Sequence, residues 1–228
     1  RFGFNSEEER YDSYDLLPAW GERYDSYNQI WKPTPHSPWS WRQPLLAVLG
    51  EFIYAFGGDT LDAAESTDAV VRLHLHHGVW EDRSPMLERR TDAGSAVFDG
   101  RLYVFGGSTE VRPGVMHVHN SAECYCPSSN EWHMLPPMLQ PRHRPRGVVV
   151  IDNIIYIVDG IDYDEDGENG ELFWENEAEL EPYAEKYDPA LQVWEALPQR
   201  LGPRPVDGVS IAALHCRLYL IGGLLTFD

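Results

Sequence analysis

The sequence predicts an all-β fold built from repeats, and three observations carry that reading. Four segments close on a glycine doublet or its Asp-Gly variant: IYAFGG (Ile53 to Gly58), LYVFGG (Leu102 to Gly107), IYIVDG (Ile155 to Gly160) and LYLIGG (Leu218 to Gly223). Each carries a tyrosine three residues before the doublet, at Tyr54, Tyr103, Tyr156 and Tyr219. Four other segments end in a tryptophan, at Trp31, Trp80, Trp132 and Trp194, with Tyr24, Leu73, Tyr125 and Tyr187 standing seven residues before them. From each tryptophan to the next doublet the chain runs 26, 26, 27 and 28 residues. Independent landmarks recurring at fixed offsets are the mark of an internal repeat, and no long helical periodicity competes with it.

Each unit reads as four short strands. In the second, GSAVF and RLYVFGG flank Asp99-Gly100, a two-residue hairpin signal. In the third, GVVVI and IIYIVDG flank Asp152-Asn153 in the same way. A third strand follows at the tyrosine segment and a fourth starts at the tryptophan, with Asp188-Pro189 and Pro127 to Asn130 supplying turn chemistry between them. Tryptophan-to-tryptophan spacings of 49, 52 and 62 residues place nearly all length variation between doublet and tyrosine, where a surface loop absorbs it. The units fall at about 1–40 (partial), 41–88, 89–139, 140–199 and 200–228 (partial). A second ERYDSY, at Glu9 to Tyr14, lacks a tryptophan seven beyond its tyrosine and reads as loop.

Units of about fifty residues with a glycine doublet and a spaced Tyr and Trp resemble kelch repeats, and the resemblance covers nearly the whole chain. It implies a kelch β-propeller domain of about four blade-equivalents: three complete four-stranded units with half-units at each end, expected to be a piece of a larger propeller. The rival is a four-bladed ring whose split blade both termini complete. Stacking answers a physical need, because one four-stranded unit cannot cover both of its own faces. The repeat positions Tyr54, Gly57, Gly58, Trp80, Tyr103, Gly106, Gly107, Trp132, Tyr156, Gly160, Trp194, Tyr219, Gly222 and Gly223 are expected to be structural, the glycines allowing backbone conformations and approaches a side chain blocks.

Composition narrows the function classes. The 228 residues are 43% hydrophobic and 12% aromatic, a globular profile, and no apolar run reaches membrane-spanning length. Net charge is −19, from 37 acids and 18 bases, which repels nucleic-acid phosphates and attracts basic partners. Three cysteines, Cys124, Cys126 and Cys216, are too few for a disulfide framework and suit a reducing compartment, so a cytoplasmic location is expected, with the nucleus left open.

Ten of the twenty residues from Asp162 to Glu181 are acidic. Asp162, Asp164, Asp166 and Gly167 match the opening of an EF-hand loop, but Phe173 stands where the bidentate glutamate belongs and Gly170 fills the ninth position. Two histidine pairs, His74 with His76 and His117 with His119, read as ordinary strand and loop residues rather than zinc ligands. No G-x-S-x-G and no phosphate-binding glycine loop is present. No metal, no cofactor and no catalytic residue is therefore expected.

The loops before each first strand carry Arg42, Arg89, Arg90, Arg142, Arg144, Arg146 and Arg204. In kelch-like proteins those loops, and the loops between second and third strands, line the face on which substrates dock. The resemblance thus places Arg90, Arg142, Arg144 and Arg146 with Asp162, Asp164, Glu165 and Asp166 on a protein-binding face, with Phe173 and Trp174 as an apolar anchor. It implies a non-enzymatic interaction module, the substrate-recruiting propeller of a kelch-like adaptor for a Cullin-3 ubiquitin ligase. Cullin-3 itself would be reached only through a BTB region that this chain does not contain. Two alternatives stand beside it: an actin-associated kelch scaffold, and a kelch-fold enzyme such as a sugar mutarotase or metal-dependent specifier.

Overall fold

The computed structural model describes residues 21–37, 39–61, 65–74, 76–112, 115–145, 147–160, 184–198 and 207–224. The chain divides into two compact units, Arg1–Ser40 and Trp41–Asp228. The described part of the first is one antiparallel hairpin, β1 (Glu22–Asp25) and β2 (Ile30–Pro33), with Tyr24 opposite Trp31. Asp25 Oδ1 accepts from the backbone N–H of Tyr27 and Asn28, and Gln29 takes a φ of 53°. That turn is what separates the paired tyrosine and tryptophan by seven residues.

In the second unit the strands run β3 (Trp41–Arg42), β4 (Leu45–Leu49), β5 (Phe52–Phe56), β6 (Asp59–Thr60), β7 (Val70–His74) and β8 (Trp80–Asp82). They continue as β9 (Gly94–Phe98), β10 (Arg101–Phe105), β11 (Ser108–Arg112), β12 (Val115–Val118), β13 (Ala122–Cys126) and β14 (Glu131–Met134). The last are β15 (Gly147–Ile151), β16 (Ile154–Val158), β17 (Ala184–Asp188), β18 (Val193–Ala196), β19 (Asp207–Leu214) and β20 (Arg217–Leu224). Three four-stranded antiparallel sheets result, β4-β5-β7-β8, β9-β10-β13-β14 and β15-β16-β17-β18, followed by the two-stranded β19-β20. This is the all-β architecture the sequence predicts, with no helix among the described residues. The first strands of successive sheets lie beside one another as an open series, β4, β9, β15 and β19. Among the described residues no helix is long and apolar enough to cross a membrane.

Hairpin chemistry fixes each register. Asp99-Gly100, Asp152-Asn153 and His215-Cys216 all take positive φ at both central residues, the geometry of a primed two-residue turn. Alternation along the middle strands then feeds two cores. Leu102 and Val104 of β10 point to the sheet before, into a cluster with Tyr54, Phe56, Val70, Tyr125 and Trp132. Tyr103 and Phe105 point to the sheet after, into a cluster with Ala122, Cys124, Ile155, Ile157 and Tyr187. Both faces of the middle sheet are therefore covered, which is why its strands read as unbroken apolar runs. Each fully buried side chain of this kind contributes roughly 1.5–3 kcal/mol.

Two features differ from the sequence expectation. MHVHN, expected in a loop, contributes most of β12, which pairs with β11 as a hairpin over the doublet of the second sheet. A further two-stranded element, β3 with β6, joins the loop before the first sheet to the residues just past Gly58.

Candidate interaction surface

The tryptophans tie each sheet to its predecessor. Tyr125 faces Trp132 and Tyr187 faces Trp194 across their hairpins, with ring centroids 5.1 and 4.8 Å apart. Trp132 Nε1 donates to the carbonyl of Ser84, 2.9 Å away, and Trp194 Nε1 to that of Pro136, 2.8 Å away. Both acceptors lie just past the fourth strand of the preceding sheet. The same rings pack against Phe56 and Phe105 of that sheet.

The glycine doublets sit against the arginine-bearing loops, and at Gly57, Gly58, Gly106 and Gly107 a Cβ would crowd loop atoms. Gly57 and Gly58 take φ of 63° and 80°, where a side chain is strained. A Cβ on Gly57 would lie 2.8 Å from the carbonyl oxygen of Arg90, and Gly58 N–H donates to that same oxygen at 3.0 Å. One repeat later Gly107 N–H donates to the Arg142 carbonyl at 2.7 Å. In the third sheet Asp159 stands in the first doublet position at a φ of 57°, which aspartate tolerates better than most residues.

Two of the four arginines expected on the docking face are withdrawn from it. Arg90 is 0% exposed and Arg142 is 2% exposed. Arg90 Nη2 lies 2.6 Å from Glu123 Oε1, itself fully buried in β13, and 2.9 Å from Glu88; Arg90 Nη1 donates to the Gly106 carbonyl at 2.6 Å. Arg142 repeats the arrangement, with Nε 2.7 Å from Glu185 Oε1 in β17 and Nη1 2.8 Å from the Asp159 carbonyl. The glutamates also accept backbone N–H groups from the same loops: Leu87 and Glu88 on Glu123, and Leu139 on Glu185. Burying an arginine is tolerable only with this degree of pairing, and here both charges are met.

Each arginine thus bridges two sheets: its carbonyl takes the doublet N–H of the sheet before, and its guanidinium holds the doublet carbonyl of its own. In the first four-stranded sheet Trp41 stands in the arginine position and Val71 in the glutamate position, both charges having been replaced together. Glu123 and Glu185 were not anticipated as functional partners, although both stand two residues before the repeat tyrosine.

The remaining charged residues cluster where loops of the three four-stranded sheets meet. Arg144, with about half of its side chain exposed, lies 3.0 Å from Asp92, which is also 3.8 Å from His143. Arg42 pairs in register with Asp59. Burial pushes the Asp59 carboxyl up, an effect that a Thr91 hydrogen bond opposes and neighbouring Asp92 reinforces. Arg89 is exposed and 3.9 Å from Glu65. Beside it the β11–β12 hairpin is pinned at its base: Ser108 and Thr91 exchange backbone hydrogen bonds, and His119 Nε2 meets Thr109 Oγ1 at 2.7 Å. Its outer residues Glu110, Val111, Arg112 and His117 are exposed.

Arg146, Asp162, Asp164, Glu165, Asp166, Phe173 and Trp174 lie outside the described residues. Among the described residues no group of three or more His, Cys, Asp or Glu is placed to hold a metal ion. Of the repeat positions, Tyr54, Tyr103 and Trp132 are buried, Trp80, Tyr156 and Trp194 half-buried, and Tyr219 exposed.

Comparison with known proteins agrees with this architecture. The kelch motif matches residues 89–139, the span of the second four-stranded sheet. Kelch-like protein terF of Aspergillus terreus is 28% identical over 182 residues, covering 78% of this chain and 38% of its own length. Kelch-like protein 23 of Mus musculus is 27% identical over 175 residues, 76% of this chain and 27% of its own. Kelch repeat and BTB domain-containing protein 2 of cowpox virus is 27% identical over 137 residues, 58% of this chain and 24% of its own. The chain therefore spans well under half the length of these relatives. Residues 89–139 carry a kelch motif, and the strands, doublets and these similarities give a chain that resembles the kelch domains of kelch-like proteins; kelch repeats mark a protein-interaction module.

Proposed function

We propose that the chain is the substrate-recognition part of a kelch-like adaptor that delivers a bound protein to a Cullin-3 ubiquitin ligase. The observation that carries this reading is the similarity to kelch-like proteins across about three quarters of the chain, with most of each relative lying outside the matched region. The cowpox relative's name adds a BTB domain to kelch repeats in one protein. Recognition falls to the loops, because the rigid sheets beneath them fix where exposed side chains stand. Arg144 and Arg146, with the acidic stretch from Asp162 to Glu181 carrying Phe173 and Trp174, form the docking surface, and net charge of −19 selects a basic partner. The adaptor acts inside the cell, in the cytoplasm, and performs no chemistry of its own.

Affinity purification of the full-length protein tests both halves. The full-length form is expected to recover Cullin-3 together with a substrate, and the 228-residue chain to recover the substrate alone. Deleting residues 162–181 is expected to reduce substrate recovery while leaving Cullin-3 recovery and folding intact. Failure of the full-length protein to bind Cullin-3 would refute the adaptor role and favour a scaffold. Undiminished substrate binding after the deletion would refute the docking surface.

A further inference from the structure

Four turns lead from a repeat tyrosine, or Leu73, toward a repeat tryptophan, and in each the next residue accepts backbone hydrogen bonds. Asp25 Oδ1 accepts the N–H groups of Tyr27 and Asn28 at 3.1 and 3.0 Å. Asp188 Oδ1 accepts those of Ala190 and Leu191 at 2.8 and 3.1 Å. Cys126 holds the same position in the second sheet, its sulfur meeting the backbone of Ser128 and Ser129. In the first sheet the position belongs to His74, whose Nδ1 accepts the N–H of His76 at 3.2 Å and of His77 at 3.4 Å.

Histidine differs from the aspartates in how long it can play this part. A carboxylate stays an acceptor down to about pH 4. A neutral imidazole has one acceptor nitrogen, and a protonated one has none. With both amides on Nδ1, the neutral ring of His74 carries its proton on Nε2. A second proton must go to Nδ1, where it faces two N–H donors.

The surroundings do not relieve that conflict. The ring centroids of His77 and His76 lie 4.3 and 6.1 Å from that of His74, so charging more than one of them sets like charges side by side. Phe52 of β5 meets the His74 ring edge-on at 4.8 Å, and Arg72 of β7 lies 3.8 Å above the Phe52 ring as a fixed positive charge. Two carboxylates stand nearby. Glu81 of β8 is committed to Arg72 at 2.6 Å, and Glu51 of the β4–β5 turn lies 3.6 Å from His76 Nε2. Glu51 therefore favours a proton on the exposed His76 ring rather than on His74.

We propose that the turn from β7 to β8 is an acid-sensitive latch: neutral His74 holds the backbone of His76 and His77, and proton uptake by the ring releases them. An imidazole ordinarily takes its second proton near pH 6.5. Because the closed turn binds the neutral ring, closure is full above that value and is lost as pH falls, the ratio of closed to released turn dropping by up to about tenfold per pH unit. β7 runs antiparallel to β5, so the latch lies at the end of the first sheet away from Gly57 and Gly58. It goes beyond the interaction reading and stands or falls separately from it.

Two-dimensional NMR of the 228-residue chain, titrated from about pH 7.5 to about pH 4.5, tests the latch. The His76 and His77 amides should lose about tenfold or more of their protection against hydrogen exchange, while those of Ala190 and Leu191 keep theirs. His74→Asp, which installs the acceptor of the sister turns, should hold both amides across the same range. The double variant His76→Gln/His77→Gln, which leaves His74 in place, should keep the transition. Amides indifferent to pH in the parent chain would overturn the proposal, as would a transition that survives His74→Asp or vanishes in the double variant. A ring nitrogen shift showing a proton on His74 Nδ1 at the upper end of the titration would overturn it as well.

Discussion

Glu123→Ala tests whether the buried arginine pairs hold the sheets together. The carboxylate it removes meets Arg90 at 2.6 Å and accepts the backbone N–H of Leu87 and Glu88, with both side chains fully buried. The substitution leaves a guanidinium in the interior with only Glu88 as anion and two loop amides without their acceptor. Breaking a buried pair from one side costs roughly 3–5 kcal/mol. Arg90→Met should cost a similar amount, by stranding Glu123. The double variant Arg90→Met/Glu123→Val copies the apolar solution of the first sheet, where Trp41 and Val71 hold these positions. It strands no charge; the unmet groups that remain, the part-buried Leu87 and Glu88 amides and the Gly106 carbonyl, are those the single variants already leave, at about 1–3 kcal/mol each. It should therefore lose less than the two single losses together, with a coupling energy of at least about 2 kcal/mol. Urea unfolding followed by tryptophan fluorescence, compared at a common slope, measures all four corners of this cycle. Additive losses of about 6–10 kcal/mol in the double variant, or single losses below about 1 kcal/mol, would refute the reasoning.

Three shorter predictions concern other positions. Gly106→Ala must place a Cβ against the Arg142 carbonyl at a φ of 62°, so thermal unfolding should reveal a loss of more than about 2 kcal/mol, whereas Gly100→Ala, with open space around it, should lose less. Hydrogen bonds from the Ser128 hydroxyl and from the backbone and hydroxyl of Ser129 bring the Cys126 thiol down to about 6, so its alkylation rate should level off near neutral pH. Ser128→Ala should move that midpoint upward, and an ordinary thiol profile in the parent chain would count against the turn geometry. Burial brings His119 and His143 down to about 4, with Arg90 adding to the effect at His119. Their contribution to stability is thus full above the unfolded value of about 6.5 and lost as pH falls toward 4. His143→Gln should flatten the urea midpoint across that window, and an unchanged slope would show that the ring is not held neutral.

The repeat was legible because its landmarks are local. Tyrosine and tryptophan seven apart specify a hairpin directly, and doublets mark strand ends by a backbone requirement that glycine satisfies. The arginines were read as surface because they lie in proline-rich loops, the ordinary setting of exposed basic residues. Their burial depends on Glu123 and Glu185, which are 33 and 43 residues further along the chain, and no local pattern joins them. A pairwise signal did exist: Pro-Met-Leu precedes both arginines at the same offset, and both glutamates stand two before a tyrosine. The β11–β12 hairpin was missed for a different reason, since segments of five and four residues on either side of Pro113-Gly114 are too short to stand out from a loop.

The bridging arginines also separate two properties that usually constrain each other. From the last residue of the doublet to the third-strand leucine or tyrosine, the three complete units step 15, 18 and 27 positions. Yet the second and third strands meet in one register throughout, with Tyr54 opposite Arg72, Tyr103 opposite Cys124 and Tyr156 opposite Lys186. In the second and third units the clamp closes on Glu123 and Glu185, which stand in the third strand two residues before its tyrosine. Lengthening a closed segment from about 15 to 27 residues costs only about 0.5 kcal/mol in closure entropy. The segments proposed to dock a partner can therefore be exchanged or enlarged at little cost to the scaffold that carries them.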